Sequence, residues 1–299
     1  MPAAFRSAAV ADWERRGRYR DLLGFAVFTI DIAPTGGEDD APVLILHGFP
    51  TCSFDFHLVV DALATTRRVL LLDMLGYGLS EKPDMRYTLA RQADVVQAFV
   101  ADVGLSTLTL LTHDMGDTVG GELLARQSEG AWPVDIVRRV ITNGSIYIEM
   151  AHLSTGQQLL LGLPDKRLDD SFDLGESAFG ASLAATFSPR SAVDADELTA
   201  AWELVSHHDG QLLLPRTIRY IEERRRYQER YTGAIEDHPS PLAIVWGSDD
   251  PIAVPDMASR LHEARPDAAL TRLTDVGHYP MLESPHRFLD AVEPGLRSR

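Results

Sequence analysis

Short, continuous apolar runs recur along the chain, each closed by a glycine, an aspartate or a small polar residue. They are VLILHG (43–48), RVLLLD (68–73), LTLLTHD (108–114), IVRRVITNG (136–144) and LAIVWGSDD (242–250). Runs of this length, rich in valine, isoleucine and leucine, suit strands buried on both faces of a sheet. Between them stand segments with helical apolar spacing, such as Leu89 to Val103 and Gly116 to Gln127. Upstream, GRYRDLLGFAVFTIDIAP reads as a hairpin turning near Gly24, and APTGGEDDAP then breaks the chain with turn residues. Downstream, ALTRLTD offers one more strand before a final helix. Strand followed by helix, repeated, predicts an α/β architecture: a mostly parallel sheet with helices on both faces.

The rhythm changes after about residue 147, and up to about residue 237 no buried-strand run occurs. Polar, small-residue stretches such as GESAFGASLAATFSPRSAVDADEL lead to amphipathic patches ending in TIRYIEERRRYQERYTGAIE. We read 147–237 as a helical insertion over the carboxyl edge of the sheet, with 1–146 and 238–299 forming the two parts of the core. The string ERRRYQER reads as a solvated helix face rather than an anion site. No internal repeat of solenoid or propeller period is present.

Composition narrows the possibilities. The 299 residues carry a net charge of −16, which argues against a broad surface for nucleic acid or anionic lipid. Cys52 is the only cysteine, so no intrachain disulfide forms and a reducing compartment suits the chain. No secretory signal pattern opens the sequence, and no run reaches the ~18 apolar residues of a membrane span. A soluble, cytoplasmic protein is the expectation, with its oligomeric state open.

The candidate chemistry begins where the run 108–114 meets a helix. In a parallel sheet, ligands gather at the carboxyl ends of strands, where helix amino termini also point. Asp114 stands at such an end. An aspartate there can be a plain helix cap, but Thr-His-Asp-Met-Gly also matches the nucleophile elbow Gly-x-Ser-x-Gly, with Thr112 for the first glycine and Asp114 for serine. A carboxylate nucleophile on an ester would give an activated anhydride. On a saturated carbon bearing an epoxide oxygen or a halide it gives an ordinary alkyl-enzyme ester that water can hydrolyse.

Its partners follow in chain order. LHGFP (46–50) can aim the Phe49 N–H, opposite that of Met115, at one oxyanion. His47 there reads as a loop brace, and the Phe49-Pro50 bond as a candidate cis peptide. DMLGYGLSEKP (73–83) is a structural loop. After LAIVWG stand Asp249 and Asp250; Asp250, three residues past Gly247, is better placed to orient a histidine. That histidine is His278 in TDVGHYPMLESP. The order Asp114, Asp250, His278 is the nucleophile–acid–base order of the α/β-hydrolase fold.

On these motifs the chain resembles the α/β-hydrolase superfamily over roughly residues 18 to 295, in the branch with an aspartate nucleophile: epoxide hydrolases and haloalkane dehalogenases. Within it the string His113-Asp114-Met115-Gly116-Asp117, with Ser145 after Asn143-Gly144 and the stretch Arg224 to Ala234, looks most like the mesoderm-specific transcript homologues. The resemblance implies an eight-stranded, mostly parallel sheet with a helical cap, and no cofactor or metal. Dehalogenases of this kind often bind halide through a Trp beside the nucleophile and an Asn or Trp elsewhere; Met115 and Phe49 supply no such side chain, though Trp202 offers one donor. Fluoroacetate dehalogenases use arginines beside the nucleophile, which 115–118 lacks. Epoxide hydrolases protonate the leaving oxygen from cap tyrosines near a Tyr-Arg-Ala-like string. Arg230-Tyr231-Thr232-Gly233-Ala234 makes Tyr231 the expected acid, with Tyr147 or Tyr227 as the second.

The expected function is therefore epoxide opening to a vicinal diol, with water and a small hydrophobic epoxide as substrates. A haloalkane dehalogenase acting on halogenated substrates is the alternative, and a non-catalytic ligand-binding or interaction protein the third reading. Apolar cap residues (Leu159 to Leu163, Phe172, Phe179, Leu212 to Leu214) suit a hydrophobic substrate or packing on the sheet.

Overall fold

The apolar runs become the strands of one eight-stranded sheet. In the computed structural model, which describes residues 5–37, 41–172 and 174–297, they are β1 (Arg18–Leu22), β2 (Phe25–Ile32), β3 (Val43–Leu46), β4 (Val69–Leu72), β5 (Thr107–His113), β6 (Asp135–Thr142), β7 (Leu242–Gly247) and β8 (Ala269–Leu273). Their order is β1-β2-β4-β3-β5-β6-β7-β8. β2 runs antiparallel to β1 and β4, and every pair from β4 to β8 is parallel. All residues of β3, β4 and β7 are buried, as continuous apolar strands covered on both faces must be. The predicted hairpin turns at Leu23 and Gly24, both with positive φ. The acidic end of the predicted break, residues 38–40, lies outside the described residues.

Helices cover the sheet, and the major ones are numbered here. α1 (Ala8–Arg16) is capped by Ser7 and buries Val10 and Trp13; the sequence patterning did not reveal it. α2 (Leu89–Asp102) and α3 (Met115–Ser128) occupy the predicted helical stretches within one or two residues. Between β6 and β7 the chain forms α4 (Thr155–Gly162), α5 (Glu176–Ala184), α6 (Ala195–Ser206), α7 (Tyr220–Arg226) and α8 (Gln228–Asp237). α9 (Asp256–Ala264) and α10 (Pro285–Leu296) complete the core. None of the described helices is long and apolar enough to cross a membrane.

The segment ahead of α1 ties the helical insertion to the core. The N–H groups of Arg6 and Ser7 donate to the Glu203 carboxylate of α6 at 2.6 and 2.8 Å, and the Arg6 guanidinium also bonds Glu176 at the start of α5. The string ERRRYQER departs from the expectation of a solvated face. Arg225 and Arg226 are exposed, but Glu223 and Arg224 are buried, because α7 lies with one side down on the sheet's carboxyl edge.

Candidate active site

Asp114 sits where β5 ends and α3 begins, at φ 48° and ψ −111°. That left-handed backbone is rare for a non-glycine residue and marks a turn fixed by its surroundings. Two glycines make it possible. A Cβ on Gly116 would stand 2.3 Å from the Leu46 carbonyl oxygen of β3, and one on Gly48 would stand 2.7 Å from the Asp114 Cβ. Thr112, in the place of the elbow's first glycine, does not loosen the turn: its hydroxyl donates to the Asp117 carboxylate one helical turn on.

The turn after β3 holds one oxygen of the aspartate. The Phe49 N–H donates to Asp114 Oδ2 at 2.9 Å across a cis Phe49-Pro50 peptide. Met115 begins α3, so its N–H is among the first-turn donors that have no intrahelical partner. His47 braces this turn. Its Nε2 accepts from Met74 N–H at 2.9 Å, which puts the proton on Nδ1, donating to the Gly48 carbonyl at 2.8 Å. Burial pushes its pKa down.

His278 and Asp250 meet on the other side. The His278 Nδ1–H donates to Asp250 Oδ2 at 2.8 Å. The other carboxylate oxygen of Asp250 accepts from the N–H groups of Ile252 (2.8 Å) and Ala253 (3.0 Å). Asp249 is engaged elsewhere, accepting from the Ser188 hydroxyl at 2.6 Å. Burial opposes charge on His278, yet the Asp250 carboxylate, its hydrogen bond and the Asp114 charge together carry its pKa up to about 9. The neighbouring His113 goes the other way. It is fully buried, its Nε2–H donates to the His278 carbonyl at 2.8 Å, and burial beside His278 pulls it down to about 3.

Several supporting residues escaped the sequence reading. Asn143, with φ 49°, donates to Asp250 Oδ2 at 2.7 Å and accepts from Gly247 N–H at 3.0 Å, locking the acid. Glu283 gathers Gly277 N–H (2.8 Å), Tyr279 N–H (3.1 Å), Ser188 N–H (2.9 Å) and the Ser191 hydroxyl (2.9 Å). It thereby fastens the histidine loop to the loop between α5 and α6, where His278 N–H also donates to the Thr186 carbonyl at 3.0 Å. Asp117 lies 1% exposed and burial raises its pKa well above the usual carboxylate range, which favours its neutral form.

The tyrosines are distributed differently from the expectation. Tyr231 packs in the α8–α3 contact, with Glu223, Glu122 and Arg230 as its charged neighbours and the Tyr227 ring 6.2 Å away. The Tyr147 hydroxyl donates to Glu236 at 2.6 Å under the Arg260 guanidinium. Tyr227 is 45% exposed, and Trp202 packs on Phe179. None of these four side chains is brought to Asp114. Tyr220, at the start of α7, is brought there from the helical segment instead. Its ring lies 5.6 Å from that of Phe49 and 5.0 Å below the Arg224 guanidinium. Arg224 in turn donates to the Asp114 carbonyl (3.3 Å) and the Thr118 hydroxyl (2.8 Å). Burial and the Asp114 charge keep the Tyr220 hydroxyl protonated far above its ordinary value. The helix holding Tyr231 is one too late; the register of α7, not the Tyr-Thr-Gly string, decides which ring reaches the elbow.

A cavity of about 760 Å³ opens over this constellation, its wall including Phe49, His278, Gln157, Leu160, Phe179 and Leu214. Of the apolar cap residues named above, Leu159, Leu160, Phe172, Phe179 and Leu214 line it, whereas Leu212 and Leu213 are buried in packing. Among the described residues no cluster of His, Cys, Asp and Glu could hold a metal ion.

A family profile described as alpha/beta hydrolase fold matches residues 41–285. The chain belongs to that family. It is 38% identical to LipZ of Mycobacterium tuberculosis, a hydrolase by name, over 96% of this chain and 97% of LipZ. It is also 31% identical to the mesoderm-specific transcript homolog protein of Bos taurus, over 97% of this chain and 89% of that one. Among solved structures, a haloalkane dehalogenase variant from Bradyrhizobium elkanii superposes with a TM-score of 0.69 at 20% identity, covering 93% and 95% of the two chains. The epoxide hydrolase CorEH superposes with a TM-score of 0.67 at 15% identity, covering 93% and 98%. At these identities the two structures share the fold and leave the reaction open.

Proposed function

We infer that this chain is a hydrolase that opens hydrophobic epoxides to vicinal diols, with residues 147–237 as the cap that encloses the substrate. The observation that carries the reading is the Tyr220 hydroxyl, protonated and held between Phe49 and Arg224, both of which touch Asp114. A strained C–O bond needs a proton donor at its oxygen as carbon is attacked, whereas a departing halide needs only N–H donors.

In the first step Asp114 Oδ1 attacks an epoxide carbon, since Oδ2 is engaged by Phe49. The ring C–O bond breaks, and Tyr220 gives its proton to the freed oxygen. Esterification removes the Asp114 charge that helps keep His278 protonated, so the imidazole gives up its proton, which returns through solvent to the phenolate and regenerates the Tyr220 hydroxyl. Neutral His278, oriented by Asp250, then deprotonates a water that attacks the Asp114 ester carbonyl. The Phe49 and Met115 N–H groups stabilise the oxyanion, at about 3–4 kcal/mol per donor. Collapse releases the diol, protonated by His278, and the acid proton left on Asp114 passes back to the imidazole.

Single turnover in heavy-oxygen water, followed by peptide mass spectrometry, tests the route: the new oxygen is expected in Asp114. A panel of aliphatic epoxides and bromoalkanes, assayed for diol and halide together, tests the substrate class. Halide release without diol would turn the reading to a dehalogenase using the same Asp114, Asp250 and His278. Binding without turnover of either class would turn it to a non-catalytic protein.

A further inference from the structure

The cap supplies Tyr220 with a polar neighbour, Gln157, whose side-chain amide favours the ionised tyrosine oxygen. Gln157 is the third residue of α4 and closes a capping box. Ser154 N–H donates to its Oε1 at 2.9 Å, and its own N–H donates to Ser154 Oγ at 3.2 Å. With the carbonyl end committed to the helix cap, the amide cannot turn over. Its Nε2 end, which carries two N–H donors, is therefore the end presented to the cavity that Gln157 shares with Phe49 and His278.

We propose that Gln157 and Tyr220 together form the seat for the substrate oxygen, Tyr220 supplying the transferable proton and Gln157 a fixed N–H hydrogen bond. The inference rests on the epoxide reading and names a second group in that site. A carboxamide donates a hydrogen bond but does not surrender its proton, so the two groups divide the work. As the epoxide C–O bond breaks and the Asp114–carbon bond forms, the proton moves from Tyr220 to the new alkoxide. Gln157 then donates to the phenolate left behind, whose face is covered by the Arg224 guanidinium at 5.0 Å. The seat accepts an oxygen with free lone pairs, and the apolar wall takes the hydrocarbon attached to it. It therefore also fits an uncharged amide carbonyl, which can occupy it without reacting.

Two variants and two readouts test this. Gln157→Met keeps the side chain's length and removes both polar ends; Gln157→Glu keeps the acceptor for Ser154 N–H and removes the donor. The first readout is calorimetric binding of an N,N-dimethyl alkylamide, which needs no turnover. Wild type is expected to bind it, and each variant to bind at least tenfold more weakly with an unchanged melting temperature for Gln157→Glu. The second is rapid-quench kinetics with an epoxide: formation of the Asp114 ester slows tenfold or more, while hydrolysis of the ester keeps its wild-type rate. A wild type that does not bind the amide, or either variant binding it within twofold of wild type, overturns the proposal. A wild type that binds the amide in a Gln157-dependent way but opens no epoxide leaves the seat standing and removes the reaction assigned to it.

Discussion

A carboxylate can serve as a nucleophile only if it is exposed to the reacting carbon and released afterwards, and single residues here divide those duties. Asp114→Asn is expected to lower turnover at least a thousandfold, because an amide oxygen is a poor nucleophile. His278→Gln should do something different: the protein accumulates a covalent adduct equal in mass to enzyme plus substrate, visible by intact-mass spectrometry, because the ester forms but loses its base. The tyrosines make a paired test. Tyr220→Phe is expected to cut the ester-forming rate by about a hundredfold, while Tyr231→Phe, in the α8–α3 contact, should stay within a few-fold of wild type. At this scale the sequence reads well wherever a residue follows a strand end, as Asp114, Asp250 and His278 do. Tyr220 stands inside an unpunctuated helical stretch, 219–231, that holds three tyrosines and five arginines, and only packing singles it out. Asn143 was visible as part of Asn-Gly-Ser, but nothing local told that its amide would hold Asp250.

The strands were legible because burial on both faces leaves them few residue choices, whereas the cap was not. Its helices are short, several carry small residues with weak periodicity, and the chain kinks at His208 and Asp209, both with positive φ. α1 escaped for a related reason: it buries only Val10 and Trp13, too few for a periodic signal. At the elbow two elements approach closely. Gly116→Ala would put a methyl 2.3 Å from a β3 carbonyl, an atom that cannot move without shifting the sheet. A loss of about 1–3 kcal/mol is expected from denaturant titration, with activity lost as well, since the same displacement moves Phe49 away from Asp114.

Across the whole molecule, buried ionisable groups set how stability responds to pH. Burial favours the neutral forms of Asp55 and Asp117, raising their pKa values well above the ordinary 3.8, and His278 is raised to about 9. Each binds a proton in the folded chain that the unfolded chain has released, so each loses stability as pH rises through its window. The buried His113 and His238 and the half-buried His207, lowered to about 3, 4 and 4, work the other way, but only below 6.5. The two sets oppose one another in acid, and just above neutrality the first prevails, until Lys82 and Arg139, lowered by burial to about 8 and 9, begin to oppose it. Unfolding free energy should therefore fall from pH 7 to pH 8. Asp117→Asn, which replaces a forced neutral acid by a neutral amide, should flatten that slope and raise the urea midpoint at pH 8. A steeper slope in the variant would contradict the assignment.

The grip of Glu283 on both the 186–191 loop and the histidine loop limits how freely evolution or an engineer can exchange lids on this scaffold. A lid transplanted from another hydrolase would cut the imidazole loose unless it offered an N–H and a hydroxyl where Ser188 and Ser191 stand. Swaps meant to change which molecules enter would then cost rate before they altered preference. Grafts that keep residues 186–191 and α4 with Gln157, and redraw only α5, are the ones that can separate the two.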